Sequence, residues 1–479
     1  MARVTRTWRG EALLAILCAM PVVIWVFTGP VEGSFDGWSA ALTTAGVLAA
    51  LTGVAAFALN LVLGGRIPVV ARQFEGLDRM YRAHRITGRA ALWLLLLHAA
   101  MIIAAGAVDL GWDALTLLTP TAGTTVFLGV IALGLMTVSI VLTLYAHLNH
   151  EVFVYVQRSF GFIFVLGALH AFRTDGFKAE SGFLTFYLAV LAVAGILAFL
   201  YRSLLHTSLV PRRDFRVVSV RHLDTEVVEI TMEPLGRPLD FVPGQFVFVT
   251  FASAAMAREL PAFSTQTSGE SEIVTFRPGA IRTQFHPFSI TSAPGERVLK
   301  VVVKASGDYT DALRVLEVGA GARVEGPYGV FSHTRARAQD QVWIAGGVGV
   351  TPFLSMARSL DAASPYKIDF FYCTKTAGEA HYLAELRALE PSLPGLTVHA
   401  CPEDTWGFVT ADRVRELSGE VTGKDVFLCG PPAMIRALTG QFGAAGVPRH
   451  QIHFEEFGFA GKKRLGPGIG RVLGARRGA

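Results

Sequence analysis

The chain has 479 residues, 52% of them apolar and 17% charged, and a formal net charge of +5. Its apolar content is high for a soluble protein, and the excess lies before about residue 206. The sequence has no array of lysines and arginines with interleaved aromatic residues, so nucleic-acid binding is not indicated. The four cysteines form no CxxC pair and no iron–sulfur spacing, so neither a cluster of that kind nor a disulfide is expected.

Six apolar runs of bilayer-spanning length fill the first half of the chain. They lie at roughly 11–28, 41–63, 88–108, 124–145, 152–172 and 183–203. A transmembrane helix needs about 20 consecutive apolar residues, so the runs predict six membrane-spanning helices. The first run lacks a clean small-x-small cleavage site and five more runs follow it, so it is not predicted to be a cleaved signal peptide.

The loops between these runs differ in charge. Arginines cluster before the first run, between the second and the third, and after the sixth, whereas the loops around 29–40 and 109–121 carry acidic residues and no lysine or arginine. By the positive-inside rule, both termini are predicted to be cytoplasmic, in a multi-pass protein of a plasma or bacterial inner membrane. Contact of these arginines with anionic lipid explains the net charge better than nucleic acid does.

One histidine precedes the third run and another lies within it, at the two ends of the segment HRITGRAALWLLLLH from His84 to His98. Fourteen residues of helix rise about 21 Å and return the side chain to within about 40° of its starting direction. Both rings therefore point the same way at two depths of a bilayer, as two ligand sites would require. The alternative is one histidine among the headgroups and one with its hydrogen bonds satisfied inside a bundle, and the spacing alone leaves both open.

After about residue 212 the pattern changes to short β-branched runs separated by turns. Runs such as FRVVSVRHL and RVLKVVVKA predict an antiparallel sheet or barrel. From about residue 340, strands alternate with glycine turns and helices, which predicts a parallel sheet with crossover helices. The predicted fold is a six-span α-helical membrane bundle at residues 1–206 and an antiparallel β-barrel at residues 212–334. An α/β parallel-sheet domain at residues 338–460 and a loose basic tail at residues 461–479 follow.

Three motifs in the second half carry chemistry. AGGVGVTP, from Ala345 to Pro352, joins a strand to a helix, where glycines and free N–H groups suit a pyrophosphate. LCGPPAM, from Leu428 to Met434, ends a later strand at the sheet edge where ligands bind, although a cysteine there is also typical of a packed core. HPFSIT, from His286 to Thr291, offers an aromatic ring and a hydroxyl, although each of its residues alone is also typical of a core or a turn.

In this order the motifs resemble the NADPH oxidase and transmembrane ferric reductase superfamily over roughly residues 8 to 460. The resemblance implies six helices followed by a ferredoxin–NADP reductase module, in which the barrel binds FAD and the α/β domain binds NAD(P)H. It implies an FAD site formed by His286, Pro287, Phe288, Ser289, Ile290, Thr291, Lys304, Gly307 and Thr310. It implies a nucleotide site formed by Gly346, Gly347, Gly349, Val350, Thr351, Pro352, Cys429 and Gly430.

The resemblance implies that three positions act in catalysis. Ser289 lies by the flavin and Cys429 by the nicotinamide, while Phe457, or less favourably Phe459, covers the flavin until nicotinamide displaces it. Lys375 is open to two interpretations, contact with a 2′-phosphate or an ordinary solvated lysine, so the choice between NADH and NADPH stays open.

The same resemblance implies b-type haem in the bundle. His98 on the third helix and His170 on the fifth are predicted to ligate one outer haem, and His84 occupies the inner ligand position. The family places a histidine thirteen residues before His170, but this chain has Gln157 there. The inner site is then empty, holds a five-coordinate haem on His84, or recruits His147 or His150. We expect one firmly bound outer haem, with the inner one absent or weakly held.

The predicted function is that of an NAD(P)H-dependent flavohaem oxidoreductase. Electrons pass from cytoplasmic NAD(P)H through FAD and haem to a small-molecule acceptor on the outer side, either a ferric chelate or dioxygen. The alternative is a membrane redox subunit that donates electrons to a protein partner or a quinone. A transporter is disfavoured because no predicted span has the midplane break that a substrate site needs.

Overall fold

The computed structural model describes residues 9–29, 34–74, 76–146, 150–174, 182–205, 210–252, 265–268, 271–274, 285–306 and 308–455. The chain divides into two compact units, Met1–Val210 and Pro211–Ala479. Among these described residues, the first unit has one buried core and the second has three.

The described part of the first unit is helical. Its α-helices are α1 (Arg9–Thr28), α2 (Trp38–Gly64), α3 (Pro68–Gln73), α4 (Leu77–Leu110), α5 (Thr124–Tyr145), α6 (His150–Arg173) and α7 (Gly182–Leu200). Two 3-10 segments, Gly111–Leu118 and Pro120–Ala122, follow α4, and a π turn at Tyr201–Leu205 continues α7.

Five helical segments of the described chain are long and apolar enough to cross a membrane. They are Arg9–Thr28, Trp38–Gly64, Arg79–Leu118, Thr124–Thr143 and Gly182–Leu204. The remaining predicted span coincides with α6, which has 24 residues and carries Gln157 and Arg158 in its first half. The predicted helical membrane bundle is therefore confirmed, with five of its six spans meeting the length and composition conditions in the described residues.

Helix α2 provides much of the buried core of the bundle. Its alanines Ala55 and Ala58 are fully buried, and small residues of this kind let neighbouring helices approach closely. A Cβ at Gly53 would lie 3.0 Å from the Leu95 side chain of α4, and one at Gly195 of α7 would lie 3.0 Å from the Ala58 carbonyl oxygen. The small residues of α2 and α7 therefore set how closely α2 packs against α4 and α7.

The second unit begins with the predicted antiparallel barrel. Its strands are β1 (Arg212–His222), β2 (Val227–Pro234), β3 (Phe246–Ala252), β4 (Thr265–Ser268), β5 (Ser271–Val274), β6 (His286–Ser289), β7 (Leu299–Lys304) and β8 (Gly321–Tyr328), with the short helix α8 (Asp308–Ala312) after β7. Six of them form one sheet in the order β6-β3-β8-β1-β2-β7, while β4 and β5 pair separately. The edge strands meet through a bridge between Ile290 and Val301, which nearly closes the barrel.

The rest of the unit is the predicted α/β fold. Its strands are β9 (Asp340–Gly346), β10 (Lys367–Thr374), β11 (Leu396–Pro402), β12 (Asp425–Cys429) and β13 (Ile452–Glu455). Its helices are α9 (Thr351–Arg358), α10 (Leu383–Leu389), α11 (Glu403–Trp406), α12 (Ala411–Ser418) and α13 (Pro432–Ala444).

All neighbouring strands of this sheet are parallel, in the order β11-β10-β9-β12-β13. Strand β12 (DVFLC) is buried along its whole length, as expected of a parallel strand that is covered on both faces. The chain moves outward from β9 through β10 and β11 and then returns to the other side of β9. The carboxyl ends of β9 and β12 therefore border the crevice where open α/β sheets bind ligands.

Candidate functional site

The structure brings together the two histidines predicted to share the outer haem. The ring centres of His98 on α4 and His170 on α6 lie 6.4 Å apart, with their planes inclined by 52°. Imidazole nitrogens bind first-row metal ions at about 2.0 Å, so two rings on one ion have centres roughly 6 Å apart. The separation of His98 and His170 fits a single iron between them.

Both rings are oriented by backbone carbonyls of neighbouring helices. The Nδ1 atom of His98 lies 3.0 Å from the Gly46 carbonyl oxygen on α2. That of His170 lies 2.8 Å from the Thr125 carbonyl oxygen on α5. An Nδ1–H that donates to a carbonyl fixes the tautomer and leaves Nε2 as the metal ligand. The residues present therefore fit a six-coordinate haem iron.

A glycine makes room for one of these rings. A Cβ at Gly129 on α5 would lie 2.8 Å from the His170 ring. At Gly134, further along the same helix, nothing lies within 4 Å of such a Cβ. Glycine is thus required at the first position by close approach, whereas the second position has open space.

His84 repeats the arrangement at the other depth. Its Nδ1 lies 3.0 Å from the carbonyl oxygen of Asn60 on α2. The Asn60 amide donates in turn to the His84 carbonyl oxygen at 2.6 Å and to the Thr87 hydroxyl at 3.0 Å. Asn60 and Gly46 are fourteen residues apart on α2, as are His84 and His98 on α4. The antiparallel pair of helices therefore orients both histidines by the same device.

The predicted partner position of His84 is occupied differently. Gln157 on α6 donates from Nε2 to the Thr143 hydroxyl of α5 at 3.4 Å. His147 and the side chain of His150 lie outside the described residues. The choice among the three predicted outcomes for the inner site therefore stays a prediction.

The HPFSIT motif forms β6 and the residues after it, and its register places two of its side chains beside an aromatic cluster. Ser289 stands opposite Phe246 of β3, and Pro287 stands opposite Phe248. Phe246 is also opposite Tyr328 of β8. Residues directly opposite in antiparallel strands share one face of the sheet. We call Phe246, Phe248 and Tyr328 the aromatic shelf, and their ring centres lie between 5.6 and 6.0 Å apart.

The alternate residues of the motif face the barrel interior. Phe288 is 7% exposed and belongs to the barrel core. The His286 ring stacks on Tyr309 with ring centres 3.8 Å apart. The Tyr309 hydroxyl accepts a hydrogen bond from the Phe251 N–H, and burial raises the pKa of Tyr309 to about 12. Tyr309 therefore supports the motif as a neutral phenol.

The predicted FAD pyrophosphate residues gather at the end of β7. The Thr310 hydroxyl accepts from the Ser306 N–H at 2.9 Å, which fixes the turn before α8. The Lys304 ammonium lies 3.3 Å from the Glu226 carboxylate, and its side chain is 40% exposed. Gly307 lies outside the described residues. Lysine and a hydroxyl at one turn are donors that suit a phosphate.

The two glycine motifs of the α/β domain meet at the predicted crevice. A Cβ at Gly346 would lie 2.8 Å from the Pro431 ring, and one at Gly430 would lie 3.0 Å from the Gly346 Cα. A Cβ at Gly349 would overlap the Cys429 carbonyl oxygen. These contacts leave no room for a side chain at any of the three glycine positions, so the backbone at these positions packs closely.

Further features of this crevice suit a nucleotide. Gly347 has a φ of +56°, with open space at its Cβ position. Pro352 is the second residue of α9, and the Thr351 hydroxyl donates to the Val348 carbonyl oxygen at 3.0 Å. The 3-10 turn Gly347–Val350 leads directly into α9, and the N-terminal end of such a helical segment is where a pyrophosphate binds. The residues present fit NAD(P)H.

Cys429 and the C-terminal strand lie beside the same crevice. Cys429 is fully buried and pairs with Glu455, the last residue of β13. The chain then continues toward Phe457 and Phe459, which lie outside the described residues. The predicted role of Phe457 therefore stays a prediction. Sequence reasoning missed the aromatic shelf and Tyr309, although the alternation in GQFVFVTF is a signal that one face of β3 is aromatic.

Three family models match the chain. Residues 49–168 match a ferric reductase like transmembrane component. Residues 261–332 match an FAD-binding domain, and residues 343–439 match an oxidoreductase NAD-binding domain. The matches place a flavin-binding domain and then a nicotinamide-binding domain after a ferric reductase like transmembrane component.

Known proteins resemble about half of the chain. The reductase component of propane 2-monooxygenase from Rhodococcus jostii (strain RHA1) is 25% identical over 52% of this chain and 65% of its own length. Flavohemoprotein A from Dictyostelium discoideum is 25% identical over 51% of this chain and 60% of its own length. The chain thus spans less than two thirds of either relative.

Among solved structures, a flavohemoglobin from Malassezia yamatoensis is 20% identical, with 94% of this chain and 97% of that one covered and a TM-score of 0.45. The FAD/NAD-binding domain of nitric oxide dioxygenase from Vibrio cholerae is 20% identical, over 51% of this chain and 97% of that one, with a TM-score of 0.40.

The order of the three family matches along the chain confirms the resemblance described from the motifs. A ferric reductase like membrane component comes first, then an FAD-binding domain, then an NAD-binding domain. The chain therefore has the domain architecture of the NADPH oxidase and transmembrane ferric reductase superfamily.

Proposed function

We propose that the protein carries electrons from cytoplasmic NAD(P)H through FAD and a b-type haem to an acceptor on the outer side of the membrane. The observation that carries this proposal is the pair of His98 and His170. Their ring centres are 6.4 Å apart, and each Nδ1 is held by a carbonyl. Histidines inside apolar spans are costly and usually functional.

The soluble unit supplies the first part of this function. The backbone of Gly346, Gly347 and Gly349 holds the pyrophosphate of NAD(P)H, and Cys429 and Gly430 lie beside the nicotinamide. Ser289 and the aromatic shelf lie against the flavin. Bound FAD supplies the conversion from hydride transfer to single-electron transfer, and the protein supplies orientation and the tuning of its potential.

The bundle supplies the second part. His98 and His170 would hold one haem, and the carbonyl bonds at Nδ1 would keep the rings in place and raise their basicity as ligands. Bound haem supplies a one-electron carrier whose potential depends on its axial ligands. At the inner level Gln157 donates to Thr143, and an amide oxygen is a poor iron ligand, so we propose a single firmly held haem.

The acceptor is proposed to be a ferric chelate. The match of residues 49–168 to a ferric reductase like component favours it over dioxygen. Each NAD(P)H that is oxidised releases two electrons, so two ferric ions are reduced per NAD(P)H. The second candidate function is a redox subunit that donates to a protein partner or a quinone. In either case the protein spans the membrane several times, with both termini in the cytoplasm and arginines near anionic lipid.

The test uses purified full-length protein in vesicles, with NAD(P)H on the face that carries the soluble unit and an impermeant ferric chelate on the other. His98→Ala and His170→Ala should each abolish reduction of the chelate and leave flavin reduction by NAD(P)H intact. His222→Ala, which removes an exposed histidine of β1, is the matched control. Undiminished chelate reduction by His98→Ala would refute the proposal.

A further inference from the structure

Two side chains of α9 donate to carbonyls of the barrel segment that follows the HPFS residues. The Ser355 hydroxyl donates to the Ser292 carbonyl oxygen at 2.8 Å, and both serines are fully buried. Arg358 donates from its guanidinium to the Thr291 carbonyl oxygen at 2.6 Å. Residues three apart on a helix share one face, so α9 lies along residues 291 and 292.

Thr291 and Ser292 are held from both sides. The Thr291 N–H donates to the Lys300 carbonyl oxygen on β7, and the Ser292 hydroxyl accepts from the Lys300 N–H. Each residue is thus bonded to the barrel through one group and to α9 through its carbonyl. Movement of α9 along the barrel would break both carbonyl bonds and leave buried acceptors unsatisfied, which costs free energy.

Arg358 is itself held in one orientation. Its Nε and one terminal nitrogen bond the two carboxylate oxygens of Glu385 on α10 at 2.7 and 2.9 Å. Its side chain is 14% exposed. A bidentate pair of this kind fixes the plane of the guanidinium as well as its position. The remaining nitrogen is therefore already directed at the Thr291 carbonyl oxygen. No side-chain entropy is lost to orient it at each turnover.

Helix α9 connects the two predicted cofactor sites through its two ends. Its first residue, Thr351, follows the glycine turn at Gly346–Val350, and its last residue is Arg358. Thr291 comes two residues after Ser289 of the flavin motif. One rigid helix of about two turns therefore connects the nucleotide turn to the strand that is predicted to hold the flavin.

We propose that Arg358, assisted by Ser355, is a positioning residue that aligns the nicotinamide with the flavin for hydride transfer. The inference rests on the proposed function of the soluble unit. In that step a C–H bond of the reduced nicotinamide breaks, and its hydrogen and electron pair pass to the flavin ring. The nicotinamide is oxidised as the flavin is reduced. A misplacement of about 1 Å costs about 100-fold in such a step.

Other contacts keep the two parts of the unit together when Arg358 is replaced. His381 lies 2.6 Å from the Asp224 carboxylate, and the Tyr382 hydroxyl donates to Glu229 at 2.7 Å. Val227 and Val302 of the barrel also share a buried apolar cluster with Phe353 of α9. Replacement of Arg358 should therefore change the alignment rather than separate the two parts.

The test measures anaerobic reduction of the flavin by NAD(P)H in rapid-mixing experiments on the full-length protein. We expect Arg358→Ala to lower the rate at saturating NAD(P)H by about 10- to 100-fold, with little change in the half-saturating concentration. Arg358→Lys, which retains the charge but has one donor nitrogen in place of three, should fall between this variant and the wild type, and Ser355→Ala should have a smaller effect. The flavin–nicotinamide charge-transfer absorbance should weaken in the same order.

Arg415→Ala is the matched control, because Arg415 is an exposed arginine of the same domain paired with Asp412. If Arg358→Ala does not fold, Arg358→Lys and Ser355→Ala decide the question. The inference would be overturned if the folded variants reduce the flavin at the wild-type rate at saturating NAD(P)H. It would also be overturned if only the half-saturating concentration changes. If NAD(P)H does not reduce the flavin of the wild-type protein, the proposed function is refuted instead.

Discussion

The predicted haem region of the bundle and the nucleotide crevice of the α/β domain are built in opposite ways. In the bundle, backbone carbonyls of α2 and α5 orient the imidazole side chains of α4 and α6. In the crevice, Gly346, Gly349 and Gly430 pack so closely that no side chain fits. A metal needs ligand atoms at fixed positions, whereas a pyrophosphate needs access to backbone N–H groups. The difference shows that the same backbone can act as support or as the binding surface itself.

The crevice should be the more sensitive region to an added methyl group. In Gly349→Ala the new Cβ would overlap the Cys429 carbonyl oxygen and lie 2.9 Å from the Gly430 Cα. We expect flavin reduction by NAD(P)H to fall by about 100-fold, because the turn must shift by about 1 Å. Overpacking should also lower the free energy of unfolding by about 1–3 kcal/mol. Rapid-mixing kinetics and denaturant titration measure the two effects.

Gly443→Ala is the control for that substitution. Gly443 lies on α13 in the same domain, with nothing within 4 Å of its Cβ position. Alanine there should raise the free energy of unfolding by about 0.5–1 kcal/mol and leave the kinetics unchanged. Equal kinetics for both alanine variants would mean that the crevice does not depend on close backbone approach.

The bundle should respond to an added methyl group through the ring that it displaces. In Gly129→Ala the Cβ would lie 2.8 Å from the His170 ring, so the ring must turn away from its carbonyl partner on Thr125. Loss of such a partner typically costs about 10- to 100-fold in metal affinity. We therefore expect a lower haem-to-FAD ratio, with normal flavin reduction. Absorption spectra of purified protein measure this ratio.

Gly134→Ala on the same helix has open space at its Cβ position and should retain the full haem content. A haem-to-FAD ratio that is unchanged in Gly129→Ala would show that the His170 ring is not held where the structure places it.

A smaller effect is expected where a buried carboxylate supports the α/β domain away from both sites. Asp425 is fully buried and accepts from the N–H groups of Arg337 and Ala338 and from His453. Burial alone would raise the pKa of Asp425, but the hydrogen bonds from His453 and from the two backbone N–H groups outweigh it and hold that pKa below its usual range.

Because the folded-state pKa of Asp425 is lowered, its contribution to stability is present above the unfolded pKa of about 3.9 and is lost as the pH falls through the folded value. We expect Asp425→Asn to lower the free energy of unfolding by about 1–3 kcal/mol at neutral pH. The difference from wild type should shrink as the pH falls below about 4. A difference that is constant from pH 7 to pH 3 would contradict this account.

A large part of the architecture could be predicted from the pattern of residue types along the chain. The apolar runs predicted the bundle, and alternating strands and helices predicted the parallel sheet, because burial and hydrogen bonding restrict the choices. His98 and His170 were paired by family resemblance. Their Nδ1 partners could not be predicted, because the acceptors are backbone carbonyls of Gly46 and Thr125, and any residue has a carbonyl.

The missed residues depend on strand register and helix placement. Phe246 and Tyr328 join Ser289 on one face only because of how β3 pairs with β6 and β8. A shift of one residue would send them to the opposite face. Arg358 carried no signal in the sequence, since its role depends on which carbonyl α9 reaches. Long-range pairing of this kind is not encoded in local spacing.

The most direct test of the account is the haem content and spin state of the purified full-length protein and its histidine variants. A histidine pair on one iron gives a six-coordinate, low-spin haem. We predict about one low-spin haem per FAD in the wild type. That signal should persist in His84→Ala and disappear in both His98→Ala and His170→Ala. A low-spin haem that survives in His98→Ala, or two low-spin haems per FAD in the wild type, would contradict the account.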